Sequence, residues 1–310
     1  MAESTQDLAE TRTEVAKRSD RETTTAGSVA RGRRITPGRI LSLVLLLIGA
    51  LVFLFPFWYM VVGAFQLKPD PTVAGAFPDP STLTVDNFIA INERLNLLVT
   101  LRNSLIFTLG VIVSTLVLGL LAGYALAVLN FRGRGAVFGI VLLSLILPFQ
   151  LLMIPLFVMI VRTYGLADTF LGMILPFAVN ATAVFIFRQF FLAVPQSLFD
   201  AARVDGAGEL RILLRVAVPI ARPAILTAVL VTFIGPWNEF LWPFLITKQA
   251  NLQPLAVALA NFISTVAGST ANPVGAILAG ATVLAIPVVV LFLVFQRYFQ
   301  ASDLGAGVKG

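Results

Sequence analysis

Six long apolar stretches, separated by shorter polar segments, organise the chain. Each stretch is close to the ~20 residues that an α-helix needs to cross about 30 Å of hydrocarbon. They occupy residues 40–62, 104–126, 136–161, 169–190, 223–246 and 274–295. This pattern predicts an all-α polytopic membrane protein with six transmembrane helices.

Two polar regions precede the second apolar stretch. Residues 1–38 are rich in Thr, Glu, Arg and Ser and contain no aromatic residue, a composition typical of a disordered tail. We therefore predict a tail at 1–38 and a transmembrane domain at 39–310. Residues 66–102 contain four prolines, and we predict one short helix within them, near residues 85–95.

A third polar region, the 195–220 loop, separates the fourth and fifth apolar stretches. Pro195 suits the first turn of a helix, and Gly206 has the conformational freedom to reverse the chain direction. Helical spacing then predicts two short helices, each with one packed face. These faces are Leu198, Ala201, Ala202 and Asp205 in the first helix, and Leu210, Leu213, Leu214 and Ala217 in the second. The loop is therefore either a compact docking knob or an amphipathic segment that lies on the bilayer surface.

Composition and charge agree with a membrane protein and indicate its orientation. Hydrophobic residues make up 58% of the 310 residues and charged residues only 12%, whereas about a quarter of a soluble protein is charged. The net charge of +6 comes mostly from Lys and Arg beside the apolar stretches, with eight of the 22 in the first 39 residues. This distribution is typical of topology signals and not of nucleic-acid binding. The positive-inside rule predicts that both termini and the 195–220 loop are cytoplasmic.

Several chemistries are excluded by what the chain does not contain. It has no Cys and no His, which excludes disulfides, thiolate chemistry, Cys or His metal sites and histidine acid–base catalysis. It also has no Gly-x-x-x-x-Gly-Lys-Ser/Thr sequence, so we do not expect it to hydrolyse ATP itself. No predicted span contains paired carboxylates, and we therefore do not expect an enzyme.

Polar side chains within the predicted spans are candidates for a solute path. Glu239 is the one acidic residue inside a predicted span, and Trp237 and Asn238 are beside it. A charge near the bilayer centre costs about 2.5–3.5 kcal/mol, so Glu239 is expected to face a cavity unless it lies at the outer interface. Gln150 and Asn180 are further candidates, although such residues also form hydrogen bonds between helices.

A set of motifs resembles one family of transport proteins. The sequence Asp200-Ala201-Ala202-x-x-Asp205-Gly206-Ala207, with Pro219 twelve residues later, is similar to the "EAA" loop of ABC-importer permeases. Other motifs resemble the carbohydrate-uptake branch of that family, in its MalG-like subunit. They include Gly123-Tyr124-Ala125-Leu126-Ala127, Phe131-Arg132-Gly133-Arg134, Pro236-Trp237-Asn238-Glu239-Phe240-Leu241-Trp242-Pro243 and Gln296-Arg297-Tyr298-Phe299.

The resemblance implies a specific function. Such a chain is a multi-pass permease of the cell (inner or cytoplasmic) membrane and carries a sugar. It works with a second related permease, two cytoplasmic ATPase subunits that bind ATP and Mg²⁺, and an extracytoplasmic solute-binding protein. The 195–220 loop would then be a coupling helix, and the C-terminal tail with Gly307 and Lys309 would reach the ATPase. One departure is visible, because Asp200 stands where the family usually has Glu.

Two alternatives stay open at this point. The cargo of the importer could be another solute such as glycerol 3-phosphate, but no Lys or Arg lies well inside any predicted span, which favours a neutral sugar. A different class of protein, an ion-coupled secondary carrier, would use Glu239 as a proton site.

Overall fold

The computed structural model describes residues 37–266 and 270–306, which are helical almost throughout and contain no β-strand. The α-helices are α1 Pro37–Ala64, α2 Asp86–Leu95, α3 Leu97–Val128, α4 Arg134–Ile146, α5 Phe149–Phe157, α6 Phe170–Ile174, α7 Ala181–Ala193, α8 Gln196–Val204, α9 Glu209–Ile212, α10 Val218–Ile220, α11 Arg222–Asn238, α12 Leu241–Ile246, α13 Leu255–Asn261 and α14 Pro273–Ala306. Segments Val158–Thr163, Leu213–Ala217 and Phe262–Val266 are π-helical. The predicted all-α class is confirmed.

The chain divides into two compact units, Met1–Phe57 and Trp58–Gly310. The described part of the first unit is the portion of α1 up to Phe57, and the second unit contains the remaining helices. The predicted tail lies outside the described residues except for its last two, with which α1 begins. The division into tail and transmembrane domain therefore stays a prediction.

Three helical segments are long and apolar enough to cross a membrane without a break. They are Ile40–Ala64, Leu97–Val128 and Pro273–Gln296. Three bent pairs also qualify, namely Arg134–Ile146 with Phe149–Thr163 (98°), Phe170–Phe177 with Ala181–Ala193 (49°), and Glu209–Ile220 with Arg222–Asn238 (77°). Counting each pair as one span gives up to six, so the predicted number of spans is compatible with this fold and stays a prediction, as does the orientation of the termini.

Local sequence explains the breaks within the third and fourth predicted spans. Leu147 has extended backbone angles before Pro148, because proline disfavours helical geometry in the residue that precedes it. Further along, Asn180 interrupts the helix and caps α7, its Oδ1 accepting a hydrogen bond from the N–H of Ala183 at 3.1 Å. The predicted spans 136–161 and 169–190 are therefore not continuous helices.

The fifth predicted span, 223–246, is also not one continuous helix. Helix α11 starts at Arg222 and ends at Asn238, and Glu239 has extended backbone angles. Glu239 then accepts a hydrogen bond from the backbone N–H of Trp242 at 3.2 Å and so caps the short α12. A carboxylate that caps a helix start competes with continuation of the helix that precedes it.

A close crossing of α3 and α7 supports the 195–220 loop. Gly119 and Gly123 lie on the α3 face that meets α7. A Cβ atom at Gly123 would lie 2.5 Å from Cβ of Phe187 and 3.0 Å from the backbone N of Arg188. Glycines spaced by four residues allow helix backbones to approach this closely in membranes. The crossing brings the end of α3 next to the loop.

The helix predicted near residues 85–95 is confirmed as α2, Asp86–Leu95. Its Asn87 side chain is buried, and Nδ2 donates to the carbonyls of Ala64 at 2.9 Å and Gln66 at 2.8 Å. Both acceptors lie at or just beyond the end of α1. These bonds fix the segment that follows α1.

Candidate functional site

The 195–220 loop folds as a helix, a glycine turn and a helix. After α8, the N–H of Gly206 donates to Arg203 O and the N–H of Ala207 donates to Ala202 O, both at 3.0 Å. This pair of bonds is a Schellman motif, and Gly206 has the left-handed φ of +78° that it requires. A Cβ atom at Gly206 would meet nothing within 4 Å, so the turn needs glycine for its backbone angles and not for space. The predicted chain reversal at Gly206 is confirmed.

An apolar cluster, called here the loop core, anchors both helices of the loop. Its buried members are Tyr124, Ala127, Val128, Ala183, Phe187, Phe191, Phe199, Ile212, Leu213, Ala217, Ala221, Ala224 and Ala228. Phe199 of α8 and Ile212 of α9 are fully buried in it. Because each loop helix places a large side chain in this cluster, the loop has one defined position against α3 and α7.

The predicted packing faces of both loop helices are correct only in part. In α8, Ala202 packs against the loop core, but Leu198, Ala201 and Asp205 are exposed and Phe199 is the buried residue.

The second helix differs in a similar way. Leu213 and Ala217 are buried as expected, but Leu210 and Leu214 are 65% and 59% exposed. Ile212 is buried in their place. Apolar residues occupy two adjoining faces here, so helical periodicity alone allowed either face to pack. The π-helical geometry that begins at Leu213 also changes the angle between successive side chains.

A network of ionic and hydrogen bonds joins the loop to α3. Arg203 Nε donates to Glu209 Oε1 at 2.8 Å, and its Nη1 donates to Asp200 Oδ1 at 2.7 Å. The hydroxyl of Tyr124 donates to Glu209 Oε2 at 2.7 Å. We call these four residues the loop network. The network connects α8, α9 and the membrane helix α3.

Hydrogen bonds within the loop network keep the Glu209 carboxylate ionised. The hydrogen bond from Arg203, and then that from Tyr124, lower the pKa of Glu209 below its usual value of 4.5. Glu209 in turn raises the pKa of Arg203 above its usual range. Both groups are therefore charged at neutral pH. Hydrogen bonds that involve a charged partner are shorter and stronger than neutral ones.

The side of the loop away from the loop core is exposed. Val204, at the end of α8, is 87% exposed, and Asp205 and Gly206 beside it are also exposed. A cleft of about 590 Å³ opens next to this tip, lined by Gly206, Gly208, Glu209, Leu210, Arg211, Leu214 and Arg215. Exposed leucines and arginines in one cleft can meet both apolar and acidic groups of a partner.

The structure separates the predicted loop residues into two groups. Asp200, Ala201, Asp205, Gly206 and Pro219 are exposed. By contrast, Ala202 and Ala207 are half-buried and pack against the loop core. Their small side chains therefore serve packing within this chain, whereas Ala201 is available to a partner. Asp200 is also held by Arg203, so its carboxylate is oriented before any partner arrives.

Sequence reasoning did not identify the network residues Arg203, Glu209 and Tyr124 as site residues. Arg203 lies three residues after Asp200, a helical spacing that could have indicated their ion pair. Tyr124, however, is 85 residues from Glu209, and no local pattern relates the two. Its position in the Gly123–Ala127 motif was the only available signal.

Trp237, a predicted path residue, is buried. Its indole Nε1 donates to Leu284 O of α14 at 3.0 Å, and its ring stacks on Phe233 with centroids 5.5 Å apart. Trp237 also lines an apolar groove of about 370 Å³ with Leu101, Leu105, Phe233, Pro287, Val290, Leu291, Val294 and Phe295. Such a groove has no polar side chain to bind a sugar hydroxyl. In this structure Trp237 holds α11 against α14.

The other predicted path residues have local bonding roles. Asn238 is exposed, and its Nδ2 donates to Ile234 O at 3.0 Å. Glu239 and Asn180 are half-buried and cap helices, and Gln150 is exposed near the start of α5. No hydrogen bond among the described residues links these four side chains to one another, so their common role in a path stays a prediction. Gly307 and Lys309 lie outside the described residues.

Comparison with known proteins identifies the family. The family described as "Binding-protein-dependent transport system inner membrane component" matches residues 94–302, which include the whole 195–220 loop. This chain belongs to that family. It is a transport permease of the inner membrane, and the resemblance to ABC-importer permeases is confirmed.

Three relatives of this permease transport different solutes. The arabinooligosaccharides transport system permease protein AraQ of Halalkalibacterium halodurans is 36% identical over 264 residues, covering 84% of this chain and 93% of the relative. The trehalose transport system permease protein SugB of Mycobacterium tuberculosis is 37% identical over 251 residues, covering 80% and 90%. The sn-glycerol-3-phosphate transport system permease protein UgpE of Agrobacterium fabrum is 28% identical over 273 residues, covering 84% and 94%.

A solved structure has the same fold. It is the crystal structure of a bacterial ABC transporter involved in the import of the acidic polysaccharide alginate. One of its chains aligns with this permease with a TM-score of 0.75 and 28% identity, covering 87% of this permease and 98% of that chain.

Proposed function

We propose that this permease is one of two transmembrane subunits of an ATP-driven importer for a sugar or oligosaccharide. It forms half of the translocation path, and a separate ATPase drives it through the 195–220 loop. The observation that carries the proposal is the exposed tip at Val204–Gly206, which the loop core and the Schellman turn hold in one conformation. A rigid projection on a chain without a nucleotide motif is suited to receive force from another subunit.

The proposed complex contains three kinds of partner. A second related permease completes the path, two cytoplasmic ATPase subunits bind ATP and Mg²⁺, and a solute-binding protein delivers the sugar from outside. Membership of the binding-protein-dependent family supports the ATPase and the solute-binding protein. The exposed Leu210 and Leu214 beside Arg211 and Arg215 support a protein surface opposite the loop.

The names of the relatives support a sugar as cargo. The two that transport arabinooligosaccharides and trehalose are 36% and 37% identical, whereas the glycerol 3-phosphate relative is 28% identical. Family membership also supports ATP-driven import over an ion-coupled carrier, so Glu239 needs no role as a proton site. Within the path we retain four candidates, because Asn238 and Gln150 are exposed and Glu239 and Asn180 are half-buried.

Single cysteines can test the docking of the loop, because the natural chain contains none. Val204→Cys places a thiol on the exposed tip, and Val73→Cys is the matched control at a residue that is 68% exposed in the segment after α1. We expect a membrane-impermeant maleimide to label Val204→Cys from the cytoplasmic side only, and bound ATPase to slow this labelling about tenfold or more by burying the site. Val73→Cys should be labelled from the outside, at a rate that the ATPase does not change.

Two results of this labelling experiment would contradict the proposal. Labelling of Val204→Cys from the outside would refute the cytoplasmic position of the loop. Equal labelling of Val204→Cys with and without the ATPase, in a complex that contains it, would remove this tip from the docking surface.

A further inference from the structure

The hydroxyl of Tyr124 joins the 195–220 loop to a membrane helix that is not its neighbour in the chain. The loop continues directly from α7 through Pro195 and leads into α11 at Arg222. Helix α3 has no such backbone connection, since Tyr124 is 85 residues from Glu209. Contact between α3 and the loop therefore depends on side chains.

Two aromatic rings pack against Tyr124 where α3 meets the loop. Its ring meets Phe191 of α7 and Phe199 of α8 edge-on, with centroids 5.7 and 5.9 Å apart. The residue is only 3% exposed, so loss of Glu209 would remove the acceptor of its hydroxyl while the ring stays buried. A buried hydroxyl without an acceptor is unfavourable, and this hydroxyl therefore holds α9 at a fixed distance from α3.

Glu209 extends the link to the docking tip. One carboxylate oxygen accepts from Tyr124, and the other accepts from Arg203 Nε at 2.8 Å. Arg203 also holds Asp200, so one continuous set of bonds runs from α3 to α8. Charge-assisted hydrogen bonds have restricted geometry and resist displacement.

We propose that Tyr124 and Glu209 are positioning residues that pass displacement of the 195–220 loop directly to α3. This inference rests on the proposed function, in which an ATPase displaces the loop. Helices α7 and α11 follow the loop through the backbone, and the Tyr124–Glu209 bond makes α3 move with them. Three membrane helices then respond together to one movement of the loop.

A distance measurement on the permease alone tests the link without any partner. Spin labels at Val204→Cys on the tip and at Val117→Cys on α3 give the distance between the loop and α3. Val117 is 52% exposed, and the width of the distance distribution reports how much the loop moves relative to α3. Tyr124→Phe keeps the ring contacts and removes only the hydroxyl, and we expect it to broaden the distance distribution. Tyr59→Phe is the control, because it also removes a hydroxyl bonded to protein, here to Asp70 O at 2.6 Å, and should leave the distribution unchanged. An unchanged distribution in Tyr124→Phe would overturn the proposal.

A double-variant comparison separates this link from general packing. Glu209→Ala should broaden the distribution as Tyr124→Phe does, and the double variant should be no broader than Glu209→Ala, because both changes remove the same bond. Additive broadening would assign the two residues to unrelated roles and contradict the link.

The assembled complex then tests the role in transport. In proteoliposomes with the ATPase, the second permease and the solute-binding protein, labelled trehalose and arabinooligosaccharide serve as probes. We expect Tyr124→Phe to lower sugar uptake per ATP hydrolysed roughly tenfold or more, a factor in the range of one hydrogen bond to a charged group, with the ATPase still bound. Normal uptake per ATP in Tyr124→Phe would refute transmission through α3. Absence of ATP-dependent uptake in the unaltered complex would instead refute the proposed function and leave the distance result valid.

Discussion

At the scale of single residues, backbone geometry and not side-chain chemistry determines the turn of the 195–220 loop. Gly206 and Gly208 are both exposed glycines with open space where a Cβ atom would lie. They differ in φ, which is +78° at Gly206 and −71° at Gly208. Only the first angle is unfavourable for other residues.

This difference predicts that the same substitution is more harmful at Gly206 than at Gly208. Gly206→Ala should destabilise the loop by about 1–2 kcal/mol, because alanine is strained in the left-handed region. Gly208→Ala should change its stability by no more than about 1 kcal/mol in either direction, because restriction of the unfolded chain opposes the preference for glycine over alanine at this N-cap of α9. Hydrogen–deuterium exchange of peptides that cover residues 196–212 measures both effects. Equal exchange in the two variants would contradict the conformational explanation.

At the scale of helices, the structure depends on the close approach of helix backbones as much as on the burial of apolar side chains. Gly123 on α3 meets Phe187 and Arg188 of α7 so closely that a methyl group has no space. Gly139 of α4 is also within a helix, but nothing lies within 4 Å of a Cβ atom there. Substitutions at Gly123 and Gly139 therefore separate the steric effect of a methyl group from its effect on helix propensity.

We predict that Gly123→Ala forces α3 and α7 apart and lowers the free energy of unfolding by about 1–3 kcal/mol. Gly139→Ala should have no such cost, and it should stabilise α4 slightly because alanine is the better helix former. Thermal unfolding in detergent measures both variants. A loss of stability in Gly139→Ala equal to that in Gly123→Ala would contradict this explanation.

The sequence predicted helices more reliably than their breaks and faces. Apolar periodicity and length found the long α1, α3 and α14, because these properties are local. The end of α11 at Asn238 was missed, because the hydrogen bond that the Trp242 N–H donates to Glu239 competes with an apolar pattern that continues beyond it. The choice between Leu210 and Ile212 as the buried residue was also missed, because it depends on the position of the loop core.

The candidate site was predictable only in part, for a similar reason. The turn at Gly206 follows from residue type. The link between Tyr124 and Glu209 does not, because it joins residues that are distant in the chain. Trp237 was selected as a path residue on the chemistry of its ring, yet its indole N–H bonds to Leu284 O in the turn before Pro287. A buried indole N–H needs such an acceptor, and no local pattern in the sequence shows which helix supplies it.

At the scale of the whole molecule, the proposed function places the transport path and its energy source in different subunits. This permease belongs to a family of membrane components that work with a binding protein, and its sequence contains no nucleotide-binding motif. Val204 at the tip of the 195–220 loop is 87% exposed, and the loop network connects this loop to α3. The central claim is therefore that transport requires an ATPase that acts on this loop.

Uptake of labelled trehalose and arabinooligosaccharide into proteoliposomes tests this claim most directly. The vesicles contain this permease alone or with the second permease, the ATPase and the solute-binding protein, in the presence of ATP or of a proton gradient. We predict uptake only in the complete complex with ATP and no uptake by the permease alone under either condition. Uptake by the permease alone under a proton gradient would contradict the account.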